Sequence, residues 1–313
     1  MNTELDNSNI SKHLGKITGY KCTYDPSLLV REPRQNNRKH LDISDDNPPF
    51  CGYDIWNAYE VSCLTNEGMP IAAIAKVVYL ATNKYIVESK SIKLYMNSFN
   101  MERYQGNIIS VLQQLEAVME NDLSKLLETE VRVCVRLTKA IDDTLYYPPL
   151  FSSANYPTLE NNIDVTSIKS RGYKEYPKLL GWLESDTNKV QRFHSALLKS
   201  NCRVTSQPDW GDVYIHYKGP YELNQTSLLQ YIVSFRDECH FHEEICETIY
   251  KRLYDLTKPE ELMVACLYVR RGGIDINPIR ANSQELLKEN HAMWDKWKYF
   301  TKTVRQYYRR FSF

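Results

Sequence analysis

Ile92-Lys93-Leu94-Tyr95-Met96-Asn97-Ser98-Phe99 sets Ile92, Tyr95, Met96 and Phe99 at the i, i+3, i+4, i+7 spacing of one helix face. Leu228, Tyr231, Ile232 and Phe235 repeat that spacing 136 residues further on, and Ser98-Phe99 is echoed by Ser234-Phe235. Working outward, each short helix is followed by a longer amphipathic one, carried by Ile108, Val111, Leu115, Val118 and Met119 in the first half and by Ile245, Ile249, Leu253 and Leu256 in the second. Each long helix then gives way to a strand. Val131, Val133, Val135 and Leu137 alternate with Arg132, Cys134 and Arg136, and Leu262, Val264, Cys266 and Tyr268 share one parity. Strand-like runs precede the helix pairs, at 71–79 and 85–87 in the first half and at 212–217 in the second. The pattern predicts an α+β protein made of two diverged copies of a strand-strand, helix-helix, strand-strand unit. Each unit is an antiparallel sheet with two helices on one face.

The units are expected over residues 1–140 and 191–283. Between them, 141–190 is a polar, turn-rich connector that includes Tyr146, Tyr147, Pro148, Pro149, Asn155 and Pro157. The tail 284–313 opens helix-like over 285–291 and then turns aromatic and basic, with Trp294, Trp297, Tyr299, Phe300, Arg305, Tyr307, Tyr308, Arg309 and Arg310. Such interleaving can stack nucleic-acid bases, but a chain end more often docks on its own domain or a subunit, so direct nucleic-acid binding is not expected.

Composition narrows the class. The 313 residues carry 39 Lys+Arg against 39 Asp+Glu, which leaves no bulk charge to attract a polyanion. The start, MNTELDNSN, lacks the basic flank and apolar core of an export signal, so a cytoplasmic protein is expected. The apolar stretch 70–81 is interrupted by Lys76 and is too short to span a bilayer, which argues against a membrane role. Eight cysteines without framework spacing read as reduced thiols, most of them buried small side chains.

Four clusters can carry chemistry. Cys202-Arg203-Val204-Thr205-Ser206-Gln207-Pro208-Asp209 pairs a thiol with a carboxyl group. An ionised Asp209 alone would oppose the thiolate, so the useful arrangement is one in which the two handle a proton between them. Glu88-Ser89-Lys90-Ser91 opens the first short helix, with Ser89 as N-cap and Lys90 and Lys93 beside free N–H groups that could cradle phosphate. Phe241-His242-Glu243 opens the second long helix. There a carboxylate could accept from two adjacent N–H donors, as a guanine-type edge presents, while His242 moves a proton. Cys239, His242 and Cys246 could instead be three zinc ligands, although no fourth is evident. Arg270-Arg271-Gly272-Gly273 offers close backbone approach and an arginine fork for phosphate. Each cluster also has a plain structural reading, as a buried thiol, a capped helix, a dipole-matching acid or a glycine turn. No Rossmann fingerprint or Walker loop occurs.

Together these clusters resemble the 7-cyano-7-deazaguanine reductases, the NADPH-dependent nitrile reductases of queuosine biosynthesis, in their long two-module form. The resemblance runs from Tyr24-Asp25-Pro26-Ser27-Leu28-Leu29 through Asp54-Ile55-Trp56 and Glu88-Ser89-Lys90-Ser91 to Arg270-Arg271-Gly272-Gly273-Ile274-Asp275-Ile276-Asn277-Pro278. It implies the tunnelling fold, NADPH as cofactor, no metal, and reduction of a deazaguanine nitrile to an aminomethyl group. By the same resemblance Cys202 adds to the nitrile carbon to give a thioimide, Asp209 supplies the proton to nitrogen and His242 assists. Glu243 and Glu88 would grip the deazaguanine, with Val87 and Ser89 as its backbone contacts. Ser89, Lys90, Arg271 and Gly272 would contact NADPH. Single-module relatives carry both the Glu-Ser-Lys-Ser and Phe-His-Glu motifs in one unit. Here the first half keeps Glu88-Ser89-Lys90-Ser91 but reads Asn100-Met101-Glu102-Arg103 at the later site, while the second keeps Phe241-His242-Glu243 but has Asn224-Gln225-Thr226-Ser227 at the earlier one. One site per chain built from both halves is therefore expected, in a homodimer, since two units of this fold still expose sheet edges. Two alternatives stand beside it: a zinc-dependent GTP cyclohydrolase of the same fold, and an inactive protein that binds a deazapurine and tRNA.

Overall fold

The computed structural model describes residues 22–138, 151, 155–184 and 188–289. MNTELDNSN, the Tyr146 to Pro149 part of the connector, the end of the 285–291 run and the aromatic-basic tail lie outside the described residues. The first half runs β1 (Arg31–Pro33), α1 (Gln35–Arg38), β2 (Cys51–Thr65), β3 (Pro70–Leu80), β4 (Tyr85–Val87), α2 (Ser89–Ser98), β5 (Arg103–Tyr104), α3 (Ile108–Leu127) and β6 (Val131–Leu137). Next come α4 (Leu159–Asn162), β7 (Trp182–Glu184), β8 (Gln191–Cys202), β9 (Pro208–Lys218), β10 (Tyr221–Leu223), α5 (Gln225–Val233), β11 (Cys239–His240), α6 (His242–Thr257), β12 (Glu261–Tyr268), β13 (Ile274–Ala281) and α7 (Gln284–Glu289).

The architecture is mixed α+β, and the halves do not keep separate sheets. β13 pairs antiparallel with β2, so nine strands form one sheet in the order β11-β8-β9-β12-β13-β2-β3-β6, with β5 also on β2. Register fixes the faces. Val264 lies opposite Arg280, Arg280 opposite Gly52, and Ile276 opposite Trp56. Val264 packs with Ile245, Ile249 and Leu253 of α6, and Trp56 with Ile92 of α2 and Leu115 of α3. All four principal helices therefore cover one face, because side chains alternate along the regularly paired parts of these strands. Across that face α5 sits over β8, α6 over β12 and β13, α2 over β2, and α3 over β6. The opposite face carries Tyr53, Val78, Tyr214, Met263 and Ile279 against Phe151, Tyr156 and Leu286. No helix among the described residues is long and apolar enough to cross a membrane, and the apolar stretch 70–81 is strand β3.

The helix-face readings hold for Ile92, Tyr95, Met96, Leu228, Tyr231, Ile232, Ile245, Ile249 and Leu253, all buried, whereas Ile108 is exposed. The echo extends into the hydrogen bonds. Ser91 Oγ bridges Val30 and the Glu88 carbonyl, as Ser227 Oγ bridges Gly181 and the Asn224 carbonyl. Tyr95 meets Phe99 edge to face, as Tyr231 meets Phe235.

Two expectations need correction. The N-cap of α2 is Glu88, not Ser89: its carboxylate accepts from the N–H groups of Lys90 at 2.9 Å and Ser91 at 2.6 Å, and Ser89 is the first helical residue. The longer side chain reaches past a position that composition alone gives to serine. In addition, Asn100 to Arg103 is not the counterpart of Phe241-His242-Glu243. Arg103 and Tyr104 pair in parallel with the end of β2 just as Cys239 and His240 pair with the end of β8. The residues leading into α3 are therefore Gln105-Gly106-Asn107, with Asn107 as the cap.

Candidate active site

The β8–β9 corner is closed by Cys202 N–H donating to Gln207 O at 2.8 Å and Ser206 N–H to Cys202 O at 2.9 Å, with Ser206 in the left-handed region at φ 55°. The corner sets Cys202 at the very end of β8, beside His240 of β11. Asp209, early in β9, shares the parity of Val213, Ile215 and Tyr217, so it points to the helix side and is buried.

There Asp209 meets two partners. Arg271 Nη1 lies 2.8 Å from its Oδ1 and His242 Nε2 lies 3.3 Å from its Oδ2. His242 is the first residue of α6, its ring flat on Tyr268 at 3.8 Å between centroids, with Nδ1 lacking a partner among the described residues. Burial alone pushes the Cys202 thiol up. Hydrogen bonds to sulfur from the Thr205 hydroxyl, the backbone of Thr205 and Val204, and Arg271 outweigh burial and bring the thiol below its ordinary value. The corner is thus a thiol biased toward thiolate beside a carboxyl group and an imidazole that can share a proton.

Glu243 is buried next to His242, with Oε1 unpaired among the described residues. Burial first, then the charge of Asp54, push its carboxyl group up. His240 lies between Glu238 Oε2 at 3.0 Å and Glu244 Oε1 at 2.9 Å. Burial opposes its charge, but the two carboxylates win and raise it to about 9, which makes it an imidazolium at neutral pH.

The first half completes the enclosure. Val87 at the end of β4 and Glu88, Ser89, Lys90 and Lys93 at the start of α2 line the same cavity of about 230 Å³ as Cys202, Asp209, His242, Glu243, Arg271 and Gly272. Trp56, Val204, Phe241, Val269, Ile274 and Ile276 supply its apolar walls. The β12–β13 turn needs its glycines. Gly272 and Gly273 sit at φ 60° and 79°, and a Cβ on Gly273 would stand 2.4 Å from the Glu60 carboxyl carbon. Because Glu88 occupies the N–H groups of Lys90 and Ser91, an anion at this mouth is left to side chains such as Ser89, Lys90, Lys93 and Arg271.

All ten residues singled out in the sequence meet here, six from four separate segments of the second half and four from the β4–α2 junction of the first. The zinc reading finds no such convergence. Cys246 is buried, with its Sγ toward the carbonyls of Val264 and Pro278, and among the described residues no three His, Cys, Asp or Glu side chains are grouped to hold a metal ion. Sequence reasoning gave no role to Thr205, although it lies inside a quoted motif, or to His240, which immediately precedes one. It missed the arginine cluster beneath the cavity altogether, since Arg34, Arg38, Glu247 and Arg280 have no local spacing signal.

Comparison with known proteins bears on the family of the chain. A family model described as "Nitrile reductase, 7-cyano-7-deazaguanine-reductase N-term" matches residues 20–135, and one described as "QueF-like protein" matches 208–286. The chain is similar to a Coxiella burnetii (strain CbuK_Q154) protein named NADPH-dependent 7-cyano-7-deazaguanine reductase, with 40% identity over 279 residues, 89% of this chain and 94% of the relative. The protein of that name from strain Dugway 5J108-111 matches equally, at 40% over 279 residues. Among solved structures, an archaeosine synthase QueF-Like in the apo form aligns at 14% identity with a TM-score of 0.28, over 31% of this chain and 95% of that one.

Proposed function

The chain belongs to the NADPH-dependent 7-cyano-7-deazaguanine reductase family, and from that premise we propose that it reduces the nitrile of 7-cyano-7-deazaguanine to an aminomethyl group, with Cys202 as covalent nucleophile. One observation carries the residue assignment: a cysteine held below its ordinary pKa opens into a cavity shared with a proton-handling Asp-His pair, a buried glutamate and a cationic mouth.

The Cys202 thiolate adds to the nitrile carbon, and the nitrogen takes a proton from Asp209, with His242 as relay, to give a thioimide. Glu243 and Glu88 orient the deazaguanine by accepting from its N–H groups, while the backbone of Val87 and Ser89 borders the base. The side chains at the mouth fit NADPH. Ser89, Lys90 and Arg271 would hold it, and the bare backbone of Gly272 permits close approach. When bound there, NADPH would supply the two hydrides, and Cys202 leaves as thiolate between them. Arg271 then serves twice, since it also steadies the departing thiolate and the Asp209 carboxylate.

The reading extends to the whole chain: two tandem tunnelling-fold units over 1–140 and 191–283, a connector, a tail from 284, a homodimer and a cytoplasmic location. The hydrogen-bond echo at Ser91 and Ser227 supports the duplication. The decisive test mixes the protein with 7-cyano-7-deazaguanine without NADPH and follows the intact mass. A mass gain equal to the nitrile, lost in Cys202→Ala, is expected. An adduct that persists in Cys202→Ala, or NADPH oxidation that does not require the nitrile, would refute the assignment.

A further inference from the structure

Beneath the cavity lies a charged cluster that the chemistry above does not use. Arg280 of β13 contacts Asp54 and Glu247, each at 2.8 Å. Arg38 reaches Glu247 and Asp45, each at 2.8 Å. Arg34 pairs with Asp54 and lies 3.6 Å from Glu247. Three guanidinium groups thus face three carboxylates, all but Asp45 almost fully buried. Burial would push Glu247 up, but Arg280 and Arg38 bring it down to about 2, so it stays ionised.

Glu243 lies one helical turn before Glu247 on the same face of α6, yet it has no ion-pair partner among the described residues, and its Oε1 is unpaired in the cavity wall. It is a fourth carboxyl group over three cations that already have partners. Asp54 of β2 opposes its charge, Arg34 and Arg280 favour it only in part, and Tyr79 of β3 adds no cation. Where charges cannot all be matched in a dry site, one carboxyl group keeps its proton.

We propose that Glu243 is uncharged in the empty site and gives its proton to solvent when a ligand presents two adjacent N–H donors, and that Asp54 is the positioning residue that sets this exchange. The inference rests on the proposed function, in which Glu243 reads the base. The ligand's N–H dipoles take the place of the proton: a neutral carboxyl group and a neutral ligand become a hydrogen-bonded carboxylate and a released proton.

The probe is 7-deazaguanine, which lacks the nitrile and so keeps thiol chemistry out of the proton count. Calorimetry in two buffers of different ionisation enthalpy should show release of close to one proton per ligand near neutral pH, with affinity rising about tenfold per pH unit below the Glu243 titration. Glu243→Gln should abolish the release. Asp54→Asn should diminish it and flatten the rise of affinity with pH. If Asp54→Asn does not fold, difference infrared spectra of the wild type supply the check: a carboxylic-acid carbonyl band should vanish on binding, and Glu243→Gln should never show it. Binding without proton release, or release that survives Glu243→Gln, overturns the inference alone. No binding of 7-deazaguanine at all overturns the functional reading with it.

Discussion

The two halves turn the same corner with different outcomes. In the first, Thr65 N–H donates to Met69 O at 2.8 Å and Thr65 pairs with Tyr104; in the second, Cys202 N–H donates to Gln207 O at 2.8 Å and Cys202 pairs with His240. Thr65 is therefore the structural counterpart of Cys202. The caps correspond too, Glu88 on α2 to Asn224 on α5. Place on the sheet separates the fates of these pairs. α6 and α2 are neighbours over the β13–β2 joint, so the second half's corner and the first half's helix start can enclose one cavity. α3 and α5 lie over the outer strands β6 and β8, so the first corner and the second cap cannot meet within a chain. The fold thus brings two element ends together over the central joint and holds the other two apart.

Exchanging the caps tests that separation first. Glu88→Asn installs the second half's residue, which still caps a helix well, so stability should fall by no more than about 1 kcal/mol. The carboxylate proposed to face the base would be gone. A charged hydrogen bond is worth about 1.5–3 kcal/mol, so KM for the nitrile should rise by roughly one to two orders of magnitude in steady-state assays. Thermal melting run beside those assays distinguishes a lost contact from a lost helix. An unchanged KM would mean that Glu88 is a cap and nothing more, like Asn224.

A smaller effect is expected at Thr205, one of the donors that make the second corner reactive. Its hydroxyl helps hold the Cys202 thiol low. In Thr205→Val the sulfur loses that bond, the thiol titrates at higher pH, and less thiolate is present on the acid side. The rate of adduct formation plotted against pH should shift to higher pH, slowing several-fold at mildly acidic pH and converging with the wild type under alkaline conditions. A uniform slowing at all pH values would point to damaged geometry instead.

How much of this was legible in the sequence follows from the range of each signal. The helix faces were readable because Ile92, Tyr95 and Met96, like Leu228, Tyr231 and Ile232, keep an unbroken period. β6 and β12 were readable for the same reason. β2 and β8, the strands that end at Thr65 and Cys202, were not read as strands. Each carries a register shift, between Ala58 and Val61 and between Ser195 and Leu198, and a bulge moves the buried parity by one so that alternation fails. The site residues were legible as four motifs, and their meeting was inferred from family resemblance and from what each half lacks. The arginine cluster was not legible, because Arg38 and Glu247 touch across 209 positions and no local pattern links them.

The smallest expected effect tests the comparison most directly. Thr65→Cys gives the first corner the nucleophile of the second. Thr65 is half-buried, and its hydroxyl accepts from Met69 N–H at 3.1 Å, so the substitution should cost under about 1 kcal/mol. The new thiol would gain no reactivity. Asp209, Arg271 and His242 attend Cys202 alone, while the first corner offers the exposed Asn66 and Glu67, and a nearby carboxylate opposes thiolate formation. Peptide mapping after incubation with 7-cyano-7-deazaguanine should find the adduct on Cys202 only, and in the double variant Thr65→Cys, Cys202→Ala it should find none. An adduct on residue 65 would show that the corner itself activates a thiol, and that meeting the other half's helix is not what makes the site.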